Sequence, residues 1–276
     1  MKFSLIMATL GRYVEVERFL MFLDQQTYRN FELIIVDQNE DDRLIPLIKA
    51  YRAKFSLIHL RSEKGLSLAR NVGMRHISGD FVSFPDDDCW YDRLALESAY
   101  KLFQQYPQYG GITGRAVDGK GHDAAGKYDK TSGLVDSINV WRRAISFTIF
   151  FRRQVCEEIG EFDEEIGVGA KTIYGSGEET DYVLRAIRNH QVYYSATFTI
   201  NHPNPLVRYS PQVISRGYRY GCGFGRVVRK HGYNFHFKLR YLIRPFLGMM
   251  LYSSTFQLPK SHYYWNTFRG RLRGML

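Results

Sequence analysis

The chain has 276 residues and a mass of 32.3 kDa. Its hydrophobic content of 45% is enough to bury a full core and excludes a disordered chain. The three cysteines, Cys89, Cys156 and Cys222, are too far apart for a structural zinc site, a redox pair or a disulfide framework. This usage favours a reducing compartment, and we expect a cytoplasmic protein.

The net charge of +10 is concentrated at the C-terminus, because residues 201–276 contain thirteen Lys or Arg and no Asp or Glu. Basic, aromatic and aliphatic residues alternate there, and no uncharged run is long enough for a transmembrane helix. The mixture favours an anionic membrane surface over nucleic acid as the partner, with packing against the core as the alternative. We expect a core domain at 1–200 and a basic, aromatic-rich, mainly helical extension at 201–276.

Short apolar runs alternate with helical patterns along the chain. Strands are predicted at 3–8, 31–37, 56–60, 80–84, 110–117 and 147–151. Helices are predicted at 13–26, 44–54, 67–76, 92–105, 152–159 and 178–190, and the polar segment 118–137 is predicted to be a flexible loop. Because the strands are continuous apolar runs separated by helices, we predict an α/β fold, with a mostly parallel open sheet covered by helices on both faces.

Polar residues follow four of these strands, namely Thr9, Asp37, Arg61 and Asp86. The carboxyl ends of parallel strands meet at one edge of a sheet, where ligands bind. Asp86 begins a run of three aspartates, which is either an acidic surface turn with Asp88 as a helix cap or a cation site. Asp86 and Asp88 have the spacing to hold Mg²⁺ or Mn²⁺, whose remaining ligands are phosphate oxygens and water.

No dinucleotide-binding glycine motif and no P-loop occurs in the sequence. The phosphates of a nucleotide would therefore need another counter-charge, which a cation on the aspartates could supply. A nucleotidyltransferase also uses carboxylates and a metal on such a sheet, but ATLGRY is a poor match to its glycine-rich phosphate loop.

Four segments resemble, in order, motifs of the family 2 glycosyltransferases of the GT-A fold, of the type that builds bacterial cell-surface polysaccharides. They are SLIMATLGR, QQTYRNFELIIVDQNEDD, GLSLARNVGMRHISGDFVSFPDDDCW and GSGEETDYVLRAIRNH. The similarity covers roughly residues 1–200. The sequence departs from the family pattern at Ala8, Leu10 and Gln38-Asn39, which leaves the choice of nucleobase open.

The resemblance implies a role for each matched polar residue. It implies that Thr9 and Asp37 contact the nucleobase and ribose, that Arg70 helps to hold the nucleotide, and that Asp86 and Asp87 belong to the nucleotide-sugar site. It also implies metal ligation by Asp88, Asp86 and His202. Without the resemblance, Thr9 would be a strand-end hydroxyl, Arg70 a helix-surface ion pair and His202 an exposed loop histidine.

Transfer to a hydroxyl group needs a base, because the pKa of the hydroxyl lies far above 7. The resemblance assigns this role to Glu179, with Glu178 and Asp181 as alternatives. Glu178 could instead favour the helix dipole as a first-turn charge.

We therefore expect an inverting, metal-dependent glycosyltransferase with a UDP-sugar donor, a hydroxyl of a glycan or lipid-linked acceptor, and Mn²⁺ or Mg²⁺ as cofactor. We expect it to bind peripherally to the inner face of the cell membrane. A nucleotidyltransferase and a non-catalytic sugar-binding or scaffold protein remain alternatives. The sequence does not set the sugar, the linkage or the oligomeric state.

Overall fold

A computed structural model describes residues 1–204 and 208–276. The chain divides into two units. The first, here called the sheet unit, comprises Met1–Lys64, Leu68–Phe162 and Tyr182–Asn204, and the second, here called the helical unit, comprises Gly65–Ser67, Asp163–Asp181 and Pro205–Leu276. These bounds differ from the predicted division at residue 200, which stays a prediction. Residues 205–207 of the predicted extension lie outside the described residues.

Eight strands form the sheet of the sheet unit. They are β1 (Phe3–Thr9), β2 (Phe31–Asp37), β3 (Ser56–Arg61), β4 (Phe81–Ser83), β5 (Gly111–Val117), β6 (Gly133–Leu134), β7 (Phe150–Arg152) and β8 (Val192–Asn201). Their order is β3-β2-β1-β4-β7-β5-β8-β6. The first four pair in parallel, as do β5 and β8, whereas β7 and β6 are antiparallel to their neighbours. The predicted mostly parallel α/β sheet is confirmed.

Every residue of β1 and β2 is buried, which requires cover on both faces of the sheet. The helices preceding the C-terminal segment are α1 (Val14–Asp24), α2 (Ile45–Arg52), α3 (Leu66–Met74), α4 (Ala95–Gln105), α5 (Val140–Arg143), α6 (Arg153–Ile159) and α7 (Glu178–Ala186). In α1 the apolar residues at helical spacing are the buried ones, namely Val16, Phe19, Leu20 and Leu23. The predicted helices are confirmed with ends that differ by a few residues.

The strand predicted at 147–151 is shorter and shifted. A 3-10 turn occupies Ser146–Thr148, and β7 begins at Phe150. The Thr148 hydroxyl lies 3.0 Å from the Ile145 carbonyl oxygen and 2.9 Å from the Thr113 hydroxyl, so a local side-chain bond competes with the strand ladder.

The polar segment 118–137 contains strand β6 and two carboxylates with basic partners. Asp123 pairs with Arg115 and Lys130, and Asp129 pairs with Arg142 and Arg143. These ion pairs give the segment a defined conformation, where the sequence predicts only a loop.

The C-terminal part of the helical unit consists of α8 (Pro211–Lys230), α9 (Phe235–Ser254) and α10 (Leu258–Met275), as predicted for a helical extension. Ser210 and Asn234 cap α8 and α9 through their side-chain oxygens. Glycines let the backbones of α8 and α10 approach closely: a methyl group at Gly270 would lie 2.1 Å from the Tyr218 carbonyl oxygen. Within residues 1–204 and 208–276, no helix combines the length and apolarity needed to cross a membrane.

Candidate active site

Three predicted site residues meet at the carboxyl edge of the parallel strands. Thr9 ends β1 and pairs in register with Asp37, which ends β2. Asp86 forms a parallel bridge with Ala8, the residue before Thr9. Thr9 and Asp37 are almost completely buried. The predicted convergence of these strand ends at one edge is therefore present in the sheet unit.

Asp37 is held by four groups. Its Oδ1 accepts hydrogen bonds from the backbone N–H of Asn39 at 2.9 Å and from Asn39 Nδ2 at 2.7 Å. Its Oδ2 lies 3.0 Å from His59 Nε2 and 3.2 Å from an Arg61 nitrogen. Asn39 Oδ1 in turn accepts from the Gly11 N–H at 2.6 Å. The departure from the family pattern at Asn39 thus ties the loop after β1 to the end of β2.

Asp86 faces a buried arginine. An Arg70 nitrogen lies 3.3 Å from Asp86 Oδ1, and the Ser146 hydroxyl donates to the same carboxylate at 3.1 Å. The Arg70 guanidinium also lies against the rings of Phe84 and Phe162, at 5.9 Å and 5.4 Å from their centroids. Because Arg70 is 1% exposed, the alternative of a helix-surface ion pair is wrong.

Arg12 neutralises the other two aspartates. Its guanidinium lies 3.2 Å from Asp87 Oδ1 and 2.5 Å from Asp88 Oδ2. Burial raises the pKa of Asp87 to about 6, against the attraction of Arg12. Burial also acts to raise the pKa of Asp88, but hydrogen bonds from His202 and Arg12 outweigh it and hold that pKa below its usual range. Neighbouring carboxylates thus have pKa values shifted in opposite directions.

Asp88 does not cap the following helix, because α4 begins at Ala95 without a side-chain cap. An Arg18 nitrogen instead donates to the Asp88 carbonyl oxygen at 2.6 Å. Residues 87–88 do form a turn, but the alternative that Asp88 caps the following helix is wrong.

Asp86, Asp88 and His202 form a candidate metal centre. Each offers one ligand atom, and these atoms lie within 4.8 Å of one another. His202 Nε2 is 3.2 Å from Asp88 Oδ1, while Nδ1 lies 2.6 Å from the Pro203 carbonyl oxygen. A proton on Nδ1 would leave the Nε2 lone pair for a metal, the usual arrangement of a ligating histidine. The two carboxylates suit Mn²⁺ or Mg²⁺, whereas an imidazole is a typical ligand of transition metals.

The candidate base lies in the helical unit, at the start of α7. Glu178 is 5% exposed, and a methyl group at Gly167 would lie 3.3 Å from its Oε2. Glu179 is only partly buried. Asp181 is fully buried, with Oδ1 at 2.8 Å from His231 Nε2 and 3.0 Å from Lys230 Nζ. Of the three, Glu179 is the most accessible to solvent.

Helix α8 packs against the loop that leads into α7. A methyl group at Gly223 would lie 2.0 Å from the Ser176 carbonyl oxygen, so the backbones of α8 and the loop touch. Gly177 has φ +99°, which favours glycine, and a methyl group there would lie 2.9 Å from a Val227 methyl. The Ser176 hydroxyl donates to the Tyr220 carbonyl oxygen at 3.1 Å. The C-terminal segment is therefore built around the start of α7.

Sequence reasoning missed several residues of the site, among them Arg12, Arg18, His59, Ser146 and His231. His59 could have been found, because it lies two positions before the strand-end Arg61 on β3 and shares its face. Ser146 and His231 come from segments with no motif, and only tertiary structure brings them to Asp86 and Asp181.

A family model for glycosyl transferase family 2 matches residues 4–160 of this chain. An uncharacterized glycosyltransferase from Haemophilus influenzae is 34% identical over 104 residues, which cover 38% of this chain and 35% of that protein. Glycosyltransferase GlyA from Streptococcus pneumoniae is 32% identical over 83 residues, which cover 29% of this chain and 12% of that protein. The matches thus span well under two thirds of the length of these relatives.

Two solved glycosyltransferases share the fold. Staphylococcus aureus TarS 1-349 has a TM-score of 0.65 and 16% sequence identity, and the alignment covers 100% of this chain and 92% of the TarS chain. A complex of TarS 1-349 with UDP-GlcNAc has a TM-score of 0.59. The mannosyltransferase PcManGT from Pyrobaculum calidifontis, in complex with GDP-Man and Mn²⁺, has a TM-score of 0.62 at 18% identity over 83% of this chain and 64% of that one.

The fold of this chain is the GT-A fold of these glycosyltransferases. The chain belongs to glycosyltransferase family 2. Membership of this family favours glycosyl transfer over the non-catalytic and nucleotidyltransferase alternatives left open by the sequence.

Proposed function

We propose that this enzyme is an inverting, metal-dependent glycosyltransferase that moves a sugar from a UDP-sugar to a hydroxyl group of a glycan or lipid-linked acceptor. The observation that supports this most is the Asp86, Asp88 and His202 centre at the carboxyl edge of the sheet. A solved relative of the same fold binds GDP-Man and Mn²⁺, and another binds UDP-GlcNAc.

Asp86, Asp88 and His202 would hold the cation, with Mn²⁺ or Mg²⁺ as the candidates. The bound cation would neutralise the charge of the donor diphosphate and of the leaving group. Hydrogen bonds from His202 and Arg12 outweigh burial and hold the pKa of Asp88 below its usual range, so Asp88 stays ionised at neutral pH and could act as a ligand.

Thr9, Asp37 and Asp87 complete the proposed donor site. Asp37 is buried and fixed by Asn39, His59 and Arg61, so its carboxylate has a defined orientation toward a nucleobase or ribose. Preorganisation of this kind lowers the entropic cost of binding.

Glu179 is the proposed general base. The acceptor oxygen attacks the anomeric carbon as the bond from that carbon to the diphosphate oxygen breaks, and Glu179 takes the acceptor proton. One in-line displacement of this type inverts the anomeric configuration. Glu178 is more buried than Glu179, and Asp181 already pairs with Lys230 and His231.

We further propose that α9 attaches the enzyme to the anionic inner face of the membrane. One side of this helix exposes apolar side chains along its length, including Phe235, Leu239, Ile243, Leu247 and Met250. Arg240 and Arg244 line the same groove as Leu239, Ile243 and Leu247. An apolar stripe flanked by arginines is typical of a helix in a membrane interface. The sequence predicted membrane contact for the whole C-terminal extension, and the present proposal assigns that contact to one face of α9.

Hydrolysis of a panel of nucleotide sugars tests the transfer proposal, because it reports catalysis, donor and metal together. Purified full-length protein should release UDP from at least one UDP-sugar in the presence of Mn²⁺ or Mg²⁺, and chelation should stop the release. Activity that is equal with and without chelator would contradict the metal-dependent mechanism.

A further inference from the structure

A cleft of about 580 Å³ lies within the helical unit, between the loop that precedes α7 and the first half of α8. Gly175 forms part of the loop side, and Gln212, Ser215, Arg216, Arg219 and Tyr220 form the α8 side. The helix residues recur at helical spacing, so they lie on one face of α8. The opposite side of the same helix packs against α10 through Gly221 and Gly225.

The polar groups of this face suit an anion. The side chains of Gln212, Ser215 and Arg216 are exposed and make no hydrogen bond or ion pair within residues 1–204 and 208–276. Arg219 donates to the carbonyl oxygens of Ala170 and Thr172, at 3.3 Å and 2.9 Å, which fixes its position at the loop. No described residue that lines the cleft is acidic. Two guanidinium groups without a facing carboxylate are suited to bind phosphate.

The other basic residues of α8 have different surroundings. Arg226 pairs with Glu165, and Lys230 pairs with Asp163 and Asp181. Arg229 has no ion pair in the described parts of the chain and does not line the cleft. Arg216 is therefore an unpaired charge inside the cleft, and Arg229 is an unpaired charge outside it.

The cleft is joined directly to the segment that contains the proposed base. The Gly175 N–H donates to the Arg219 carbonyl oxygen at 3.1 Å, and Glu179 follows Gly175 by four positions. A ligand in the cleft would thus contact the same loop that positions Glu179. This is the expected place for an acceptor, since its hydroxyl must reach the base while the rest of the acceptor is held nearby.

We propose that this cleft binds a phosphate group of the acceptor. The inference rests on the proposed glycosyl transfer and adds a substrate class: the acceptor carries a phosphate close to the hydroxyl that is glycosylated. The exposed Tyr220 offers an aromatic surface for an adjoining sugar or polyol, and the Arg216 guanidinium lies 5.8 Å from the centroid of its ring.

Calorimetric titration of glycerol phosphate into the full-length protein tests the proposal. Excess UDP and Mn²⁺ are present throughout, so that phosphate cannot bind at the donor site. We expect binding of glycerol phosphate but not of glycerol, and a roughly tenfold or greater weakening in Arg216→Gln, the effect of losing one charge-assisted hydrogen bond pair. Arg229→Gln removes the same charge from the same helix and should bind as the wild type does.

Absence of phosphate binding, or equal weakening in both variants, would overturn the proposal. Equal weakening would mean a general effect of net charge, which salt should also screen. The hydrolysis of nucleotide sugars by the wild type separates the two hypotheses. If hydrolysis occurs and phosphate does not bind, the acceptor inference alone fails; if no hydrolysis occurs, the proposed function fails.

A second titration distinguishes the two sources of phosphate. Binding of the protein is measured to neutral-lipid vesicles with a polyprenyl phosphate, to the same vesicles without it, and to soluble glycerol phosphate. Competition between the vesicles and glycerol phosphate shows whether both bind in the cleft. Binding that is favoured by the vesicle-bound phosphate and weakened in Arg216→Gln indicates a lipid-linked acceptor. Binding of the soluble phosphate alone indicates a phosphate-bearing glycan or polyol. Binding of neither contradicts the proposal.

Discussion

The two units of this protein differ in how their charged side chains are paired. In the sheet unit, each aspartate of the strand-end triplet has a cationic partner, supplied by Arg12, Arg70 or His202. In the helical unit, the C-terminal segment has no acidic residue of its own, and its ion pairs are made with the loop at 163–181. The charges of the proposed donor site are therefore compensated internally, whereas Arg216 and Arg229 of the C-terminal segment have no ion pair within residues 1–204 and 208–276.

The C-terminal segment contacts the start of α7 and would therefore help to position the proposed base, Glu179. At Gly223 its backbone packs directly against Ser176, in the loop that leads into α7. Lys230 and His231 pair with Asp181 in the first turn of α7. The following predictions test the roles proposed for the two units, beginning with the largest expected effect.

Glu179→Gln should lower transfer by about 10²–10⁴-fold, because the amide keeps the shape of the side chain but cannot accept the acceptor proton. The affinity for UDP should not change, since the proposed partner of Glu179 is the acceptor hydroxyl and not the nucleotide. Glu178→Gln is the matched control, and steady-state transfer rates are the measurement. If Glu178→Gln shows the large loss while Glu179→Gln stays active, the base assignment is wrong by one residue.

Gly223→Ala should lower transfer by about 10- to 100-fold, because the new methyl group must displace the Ser176 backbone and with it the start of α7. UDP affinity should be retained. Gly217→Ala is the control on the same helix, since its methyl group meets side-chain atoms, those of the Tyr263 ring and the Thr267 hydroxyl, and no backbone atom among its three nearest neighbours. Similar rates in the two variants would show that the contact at Ser176 does not position the base; thermal unfolding of both variants checks that each is folded.

Glu32→Gln should lower the free energy of unfolding by about 1–3 kcal/mol at neutral pH. Glu32 is buried and accepts from Lys2 Nζ, the Ser4 hydroxyl and Ser78. Burial acts to raise its pKa, but these hydrogen bonds lower it below the ordinary value. The stabilisation is therefore present above the unfolded pKa and is lost as the pH falls through the folded pKa. Denaturant unfolding at several acidic pH values should show a shallower pH dependence in the variant, and an unchanged slope would contradict this account.

Substitution of Ile243 or Leu247 by Gln should weaken binding to anionic vesicles by roughly tenfold each, the cost of removing a buried aliphatic side chain from the interface. Cosedimentation of the full-length chain is the measurement. Met21→Gln changes an exposed apolar residue of the sheet unit and serves as the control. Equal partitioning of all variants, or binding that does not depend on the lipid charge, would contradict membrane attachment through α9.

The sequence was most informative where local pattern and function coincide. Apolar strands with short-range periodicity predicted the sheet, and the strand-end positions of Thr9, Asp37 and Asp86 followed from its topology. The shift of β7 was not predictable, because it depends on the contact of Thr148 with Thr113 on a different strand.

The organisation of the helical unit was also hidden from the sequence. The glycines of α8 suggest close packing, but whether Gly223 faces α10 or the Ser176 loop depends on the rotation of the helix in the folded chain. The pairing of Asp181 with His231 joins residues 50 positions apart, and neither belongs to a recognisable spacing. Long-range side-chain partners of this kind are set by tertiary packing.

Asp86 and Asp88, which follow β4, are proposed to hold a metal-bound nucleotide diphosphate. Calorimetric titration of UDP with and without Mn²⁺ tests it most directly, using the wild type, Asp88→Asn and the loop control Asp118→Asn. The account predicts that Mn²⁺ strengthens UDP binding in the wild type and in Asp118→Asn, and that this strengthening disappears in Asp88→Asn. A wild type that binds UDP equally well without Mn²⁺, or an Asp88→Asn variant that keeps the metal effect, would contradict the account.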